Sequence, residues 1–180
     1  MGERRIVVIG NTCAGKSTLG SKLAERLSVP FVDLDALYWK PNWEPSPRDE
    51  FRNRVDAATK DGGWVLAGSF SMQWDISWSR AEIVVWLDIT LPVVVARILS
   101  RSYRRWRSGD MLWGTNRERF LPQFKIWDEK TSLIGWALRH HAQKVRDYEA
   151  AMKDERWRHL TFHRFRSNEE ADQWSSTLPR

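Results

Sequence analysis

Three stretches of the chain are apolar almost without interruption, Ile6 to Ile9, WVLA at 64 to 67 and EIVVWLD at 82 to 88, and HLTFHRF at 159 to 165 reads as a last strand. Phe31 and Val32 form a shorter one that stops at Asp33. Runs of this length without alternation predict strands covered on both faces. Between them the apolar period changes. Leu19, Leu23 and Leu27 recur at helical spacing after the first run, and residues 48 to 60 form a more polar segment that predicts a surface helix. A third helix is predicted from 91 to about 105, with Val94, Val95, Ile98 and Leu99 turned inward. A long one follows from about Lys130 to Lys153, where Ile134, Leu138, His141, Val145, Tyr148 and Met152 alternate four and three apart. Ser167 is placed to cap a last helix through Trp174.

Strands alternating with helices give an α/β fold, a parallel sheet with helices on its faces. Two segments break the alternation. Prolines 41, 45 and 47 hold the chain out of regular structure until about Ser46, and SGDMLWGTNRERF at 108 to 120 carries two glycines and mixed polarity, as a moving flap does. Neither repeats nor linkers divide the 180 residues, which predicts one domain over 1–180.

The formal net charge of +6 invites a polyanionic partner. Its distribution narrows the choice, because Arg101, Arg104, Arg105 and Arg107 crowd one segment and only Asp110 and Glu118 lie near enough in sequence to pair with them. A cluster of unpaired guanidinium groups suits a polyphosphate. The 12 tryptophans are scattered, which predicts core or rim positions with each N–H near a partner. A single cysteine, Cys13, excludes an intramolecular disulfide, and the first residues show no signal pattern, so a cytoplasmic protein is expected. No apolar run reaches the roughly 20 residues needed to span a bilayer. His140 and His141 form no metal-ligand pattern and are expected at the edge of the core.

The chemistry is concentrated in GNTCAGKST, residues 10 to 18. Gly10, Gly15, Lys16 and Ser17 match the spacing G-x-x-x-x-G-K-[ST] between a strand and a helix. Glycine permits the backbone angles that turn successive N–H groups toward an anion, and the helix start adds its own free N–H groups and dipole. Gly10, Asn11, Thr12, Cys13, Ala14, Gly15, Lys16, Ser17 and Thr18 are therefore expected to bind the nucleotide, with Lys16 on the β and γ phosphates and the Ser17 hydroxyl on Mg²⁺. Cys13 lies among those N–H groups, where a thiolate would be favoured; an inert, packed side chain is the alternative. Asp33 and Asp35 sit at the end of the second strand, either as site acids or as a helix cap. Tyr38, Trp39 and Trp43 follow, available to stack on an acceptor or to pack the segment down.

With GNTCAGKSTLGSKLAERL, VPFVDLDALYWKPNW, GWVLAGSF, AEIVVWLD and ARILSRSYRRWR in this order, the chain resembles the P-loop adenylate kinase-like and shikimate kinase-like small-molecule kinases, and within them the bacterial DNA topology modulation proteins. The resemblance implies a five-stranded parallel sheet, an acceptor flap at about 35–60 and an arginine-bearing lid at about 103–118. It implies ATP and Mg²⁺ as cofactors, Asp33 near the metal with Ser17, and Asp35 facing the acceptor hydroxyl. Lys16, Arg101 and Arg105 would embrace the transferring phosphoryl group, and Arg97 would lie near the base. Adenylate kinase-like members carry an aspartate before the glycine of the third strand, where this chain has Ala67; shikimate kinase-like members lack it too, which favours a hydroxyl acceptor. The partners expected are a nucleoside triphosphate and a small acceptor. A nucleic-acid-associated function, as a 5′-hydroxyl kinase or DNA topology modulator, and a non-catalytic nucleotide switch are the alternatives.

Overall fold

A computed structural model describes residues 4–129 and 131–179. In chain order the elements are β1 (Arg5–Gly10), α1 (Lys16–Leu27), β2 (Phe31–Asp33), α2 (Leu34–Tyr38), β3 (Trp39–Lys40), β4 (Glu44–Pro45), α3 (Arg48–Thr59), β5 (Trp64–Ala67) and α4 (Trp74–Arg80). Then come β6 (Ile83–Leu87), α5 (Leu91–Ser108), β7 (Met111–Leu112), β8 (Asn116–Arg117), α6 (Leu133–Met152), β9 (Thr161–Phe165) and α7 (Asn168–Thr177). The main sheet has the order β2-β5-β1-β6-β9, and every adjacent pair in it is parallel. This is the α/β P-loop kinase architecture expected of the sequence.

The uninterrupted apolar runs have the expected cause. Every residue of β5 and β6 is buried, because helices cover both faces. On one face Leu19, Leu23, Val94, Ile98 and Ala171 pack on Ile6, Val8, Val85 and Leu87. On the other, Phe51, Val55, Trp78, Tyr148 and Trp157 pack on Val7, Ile9, Leu66, Val84 and Trp86. Among the described residues no helix is long and apolar enough to cross a membrane.

Several boundaries differ from the sequence expectation. The third predicted helix runs on to Ser108, where Gly109 ends it in the left-handed region. The long helix begins at Leu133, capped by the Ser132 hydroxyl, which accepts from the Gly135 N–H; its expected start at Lys130 lies outside the described residues. Leu138 and Met152 are exposed on it, and Ala137 and Ala151 are buried instead, because α6 approaches the sheet closely through small side chains. The segment after Asp33 is less irregular than its prolines imply. It forms α2 and then the β3–β4 hairpin, and the glycine-bearing lid segment forms the β7–β8 hairpin. In SMQWDISWSR the apolar residues Met72, Trp74, Ile76 and Trp78 fall at every second position, a strand period, yet Trp74–Arg80 forms the helix α4.

Not every tryptophan finds a partner. Trp74 and Trp78 stack at 4.2 Å between ring centroids, and neither indole N–H has a hydrogen-bond acceptor, so their burial rests on ring packing. Ser167 does cap α7, accepting from the Glu170 N–H, and that helix continues three residues past Trp174 to Thr177.

The turn after β5 has a steric requirement. Gly68 has φ 151°, and a Cβ there would lie 2.5 Å from Leu34 Cβ in the first turn of α2. Gly68→Ala is expected to lower unfolding free energy by about 2 kcal/mol or more through overpacking and backbone strain. Urea titration measures it; an unchanged midpoint would show that α2 shifts freely.

Candidate active site

The phosphate loop is built by its neighbours as much as by its own glycines. Gly15 has φ 99° and stands at the N-cap of α1, a backbone angle that favours glycine, and a Cβ there would lie 2.4 Å from Asn168 Nδ2 and displace that side chain. Asn168 Nδ2 donates to Ala14 O at 2.9 Å, and Arg97 Nη1 donates to the same carbonyl at 3.4 Å. At the other end, Asn11 Oδ1 accepts from the Thr12 N–H at 2.8 Å. That bond fixes the amide orientation, so Asn11 Nδ2 donates to His141 Nδ1 at 2.7 Å and the imidazole is an acceptor there. The Ser69 hydroxyl donates to Gly10 O at 2.6 Å and accepts from Gly10 N–H at 3.3 Å. The N–H groups of Gly10, Thr12 and Ala14 are bonded within the protein, which leaves those of Cys13, Gly15, Lys16 and Ser17 to face an anion.

Lys16 Nζ donates to Asn11 O at 2.8 Å across the loop. Burial lowers its pKa, and Asp35 is the strongest charge opposing that shift. A half-buried ammonium held over a ring of N–H donors is poised for phosphate. Ser17 and Thr18 are exposed at the mouth. A cavity opens beside them, lined by Cys13, Gly15, Thr18, Lys22, Arg97 and Asn168. Arg97 lines this cavity and also bonds to the loop at Ala14 O.

Asp33 is the cap of α2. Its Oδ1 accepts from the Asp35 N–H at 3.0 Å and starts α2. Burial first and the charge of Asp35 second raise its pKa. Two carboxylates that repel each other, one of them partly desolvated, favour a cation, and this fits a Mg²⁺ ion close to Ser17. Among the described residues no group of three or more His, Cys, Asp or Glu forms a cage of its own, so such an ion would rely on phosphate oxygens and water.

The arginines divide. Arg101 lies near the loop, where it acts electrostatically on both Cys13 and Lys16, and its Nε is buried with no hydrogen-bond partner. Arg105 is turned away: its Nη1 lies 2.8 Å from Glu118 Oε2, and Ser102 also bonds to Glu118. The expectation of an acid-poor cluster is corrected at this point, since Glu118 is buried and pairs with Arg105 while lying 3.8 Å from Arg101 Nε. The β7–β8 hairpin returns Glu118 to the face of α5, so one of the two acids near the cluster in sequence does pair with it.

The aromatic trio is also split. Tyr38 packs on Phe70 at 4.5 Å and on Phe51 at 5.2 Å, with Trp39 against its edge at 4.9 Å. Trp43 instead meets the lid: its N–H donates to Asn116 Oδ1 at 2.8 Å, its Nε1 donates to Arg117 O at 3.0 Å, and its ring touches Trp113. Asn116 Nδ2 donates in turn to Lys40 O, so the two hairpins close on one another over the sheet end. Cys13 is not activated, because burial raises its pKa more than Arg101 and Lys16 lower it.

The comparisons agree with this geometry. The family model described as Shikimate kinase matches residues 12–121. The chain belongs to the shikimate kinase family. A shikimate kinase of Rhodopseudomonas palustris is 29% identical over 169 residues, covering 86% of this chain and 83% of that protein. The uncharacterized protein YqaC of Bacillus subtilis is 26% identical over 133 residues, covering 70% and 74%. Among solved structures, shikimate kinase from Bacteroides thetaiotaomicron superposes with a TM-score of 0.53 at 18% identity, covering 96% of this chain and 91% of that one, a likeness of fold. As a member of this family the chain is an ATP-dependent kinase acting on a small-molecule acceptor.

Sequence reasoning missed Ser69, His141 and Asn168. Each lies more than 50 residues from the loop group it touches, and no local pattern marks it.

Two outcomes are expected. Removing the α6 brace with His141→Ala should weaken Mg-ATP binding by about three- to tenfold, on the scale of one lost hydrogen bond, with little change in thermal midpoint; equal affinity by calorimetry would contradict the brace. Because the Cys13 pKa lies above its ordinary value of 9.0, iodoacetamide should react slowly at pH 7.5 and faster as pH rises past 9. Saturating Mg-ATP should slow the reaction at every pH. A fast, pH-independent rate below pH 8 would contradict the buried thiol.

Proposed function

We propose that the chain transfers the γ-phosphoryl group of Mg-ATP to the hydroxyl of a small acceptor bound between α2, the β3–β4 hairpin and the loop. The observation that carries this reading is Asp35: an acid in the first turn of α2, just past the end of β2, that acts electrostatically on Lys16 and has no salt bridge among the described residues. Asp35 would accept or orient the acceptor's proton, while Lys16 and Arg101 neutralise charge on the phosphoryl oxygens. Arg105 serves through Glu118, holding the lid in the position that presents Arg101. Ser17 and Asp33 would hold Mg²⁺ directly or through water, and the ion supplies charge neutralisation on the β and γ phosphates. Arg97 and the Asn168 cavity take the base.

The acceptor flap at about 35–60 and the lid at about 103–118 form the mouth of this one domain, and Tyr38, Trp39 and Trp43 shape the flap. Tyr38 does so from within the core; Trp43 does so through the lid. A nucleic-acid acceptor is favoured by one feature only, the exposed rings of Tyr103 and Trp106 beside Arg104 and Arg107, which carry no acid partner.

A coupled assay of ADP release, run over shikimate and other hydroxy acids, sugars, nucleosides, nucleotides and 5′-hydroxyl oligonucleotides, tests the reading. One small hydroxyl compound should stimulate ATP consumption. With it, Lys16→Ala should lower turnover by at least 100-fold, roughly 3 kcal/mol of transition-state stabilisation. Asp35→Asn should lower turnover far more than ATP affinity. Stimulation by oligonucleotides alone, steeply reduced by salt, would replace the small-acceptor reading, and full turnover in Asp35→Asn would remove that acid from the mechanism.

A further inference from the structure

The carboxyl ends of β1 and β6 and the inner face of α6 enclose a recess lined by Asn11, Trp86, Asp88, His141, Lys144 and Tyr148. Nearly every charge around it is already satisfied. Asp88 takes Nε and Nη2 of Arg164, whose Nη1 reaches Glu149, and His141 accepts from Asn11. The Tyr148 hydroxyl is held protonated by burial, its pKa pushed up to about 12.

Lys144 is the exception. It is half-buried, forms no salt bridge or hydrogen bond among the described residues, and lies over the face of Trp136 at 4.7 Å. The charges acting on it are Lys16 first, then Asp35 and its helix neighbour Asp147; burial and the repulsion from Lys16 bring its pKa down to about 8. Several cations of the flap, α3 and α4 offer a contrast. Lys40 and Arg54 pair with Glu50, Arg52 with Asp75 and Arg80 with Asp56. Lys16, Arg101 and Lys144 are partly buried cations close to the loop; Arg101 lies 3.8 Å from Glu118, and Lys144 has no acid partner among the described residues. Partly desolvated cations that repel one another across a ring of N–H donors are stable together only when an anion with several oxygens lies among them.

The direction of the phosphate chain decides which group that is. Gly15 and Thr18, at the helix end of the loop, face the cavity of Arg97 and Asn168. His141 and Lys144 approach the opposite end, through Asn11. A nucleotide with its base in the cavity lays its phosphates from the Thr18 end toward the Asn11 end, and its terminal phosphate comes to rest nearest α6. We propose that Lys144 is a third cation on the terminal phosphoryl group of the nucleotide, beside Lys16 and Arg101, and so a catalytic residue supplied by α6. The inference rests on the phosphotransferase reading above.

Calorimetry of the full chain at pH 7 with Mg²⁺ tests it, using ADP and the non-hydrolysable β,γ-imido analogue of ATP. These two ligands differ in the terminal phosphate that Lys144 would touch. Lys144→Met is expected to weaken binding of the imido analogue about tenfold, the scale of one charge-assisted contact, and to leave ADP within twofold. Lys144→Gln, which keeps a polar tip, should behave alike and carries the test if thermal melting shows that Lys144→Met does not fold. Equal losses for both nucleotides would make Lys144 a packing residue, and unchanged affinities would place it away from the phosphate; either overturns the proposal. Wild-type protein that binds neither nucleotide would defeat the phosphotransferase reading itself, whereas normal wild-type binding with unaffected variants defeats only the role of Lys144.

Discussion

The structure depends on holding one nine-residue turn open for an anion. A ring of inward N–H groups between β1 and α1 has no stable arrangement of its own, since its carbonyls must point outward and find partners. Here they find them at distant points in the chain. Asn168, in the first turn of α7, and Arg97, on α5, take Ala14 O, Ser69 takes Gly10 O, and His141 on α6 fixes the side chain of Asn11. The sheet order places the ends of β5 and β6 on either side of β1, so these residues arrive without long loops. The last third of the chain, beyond the matched segment 12–121, therefore contributes directly to the nucleotide site.

The same requirement accounts for the electrostatics. Lys16, Arg101 and Lys144 stand near the loop as partly buried cations, while Lys40, Arg52, Arg54 and Arg80 have acid partners. Glu118 draws off Arg105 and ties the segment after β8 to α5. Flap and lid meet through Trp43 and Asn116, at a turn where Asn42 and Trp43 adopt left-handed backbone angles.

Much of this was legible in the residues. The loop announces itself because its chemistry needs fixed types at fixed spacing within nine positions, and the strands announce themselves because burial on both faces removes alternation. The Asp33 and Asp35 pair was legible as a location, and the cap at Asp33 was one of its two readings. What remained hidden depends on contacts between distant segments. Glu118 pairs with arginines 13 and 17 positions earlier only because a hairpin turns it back, and His141 reaches the loop across 130 residues. Short helices such as α2 and α4 lack the length to show a helical period, and Leu138 and Met152 kept the apolar rhythm of α6 while facing solvent. Cys13 was read by its nearness to N–H dipoles, whereas packing against the core decides its thiol.

The central claim is that the loop passes a phosphoryl group to a hydroxyl and not to water. Phosphorus-31 NMR of Mg-ATP with the pooled acceptors tests it most directly. The expected spectrum loses the γ resonance and gains a phosphomonoester resonance at the same rate, with no matching growth of inorganic phosphate. A γ resonance that is lost only to inorganic phosphate, or that persists with every acceptor, would contradict the account.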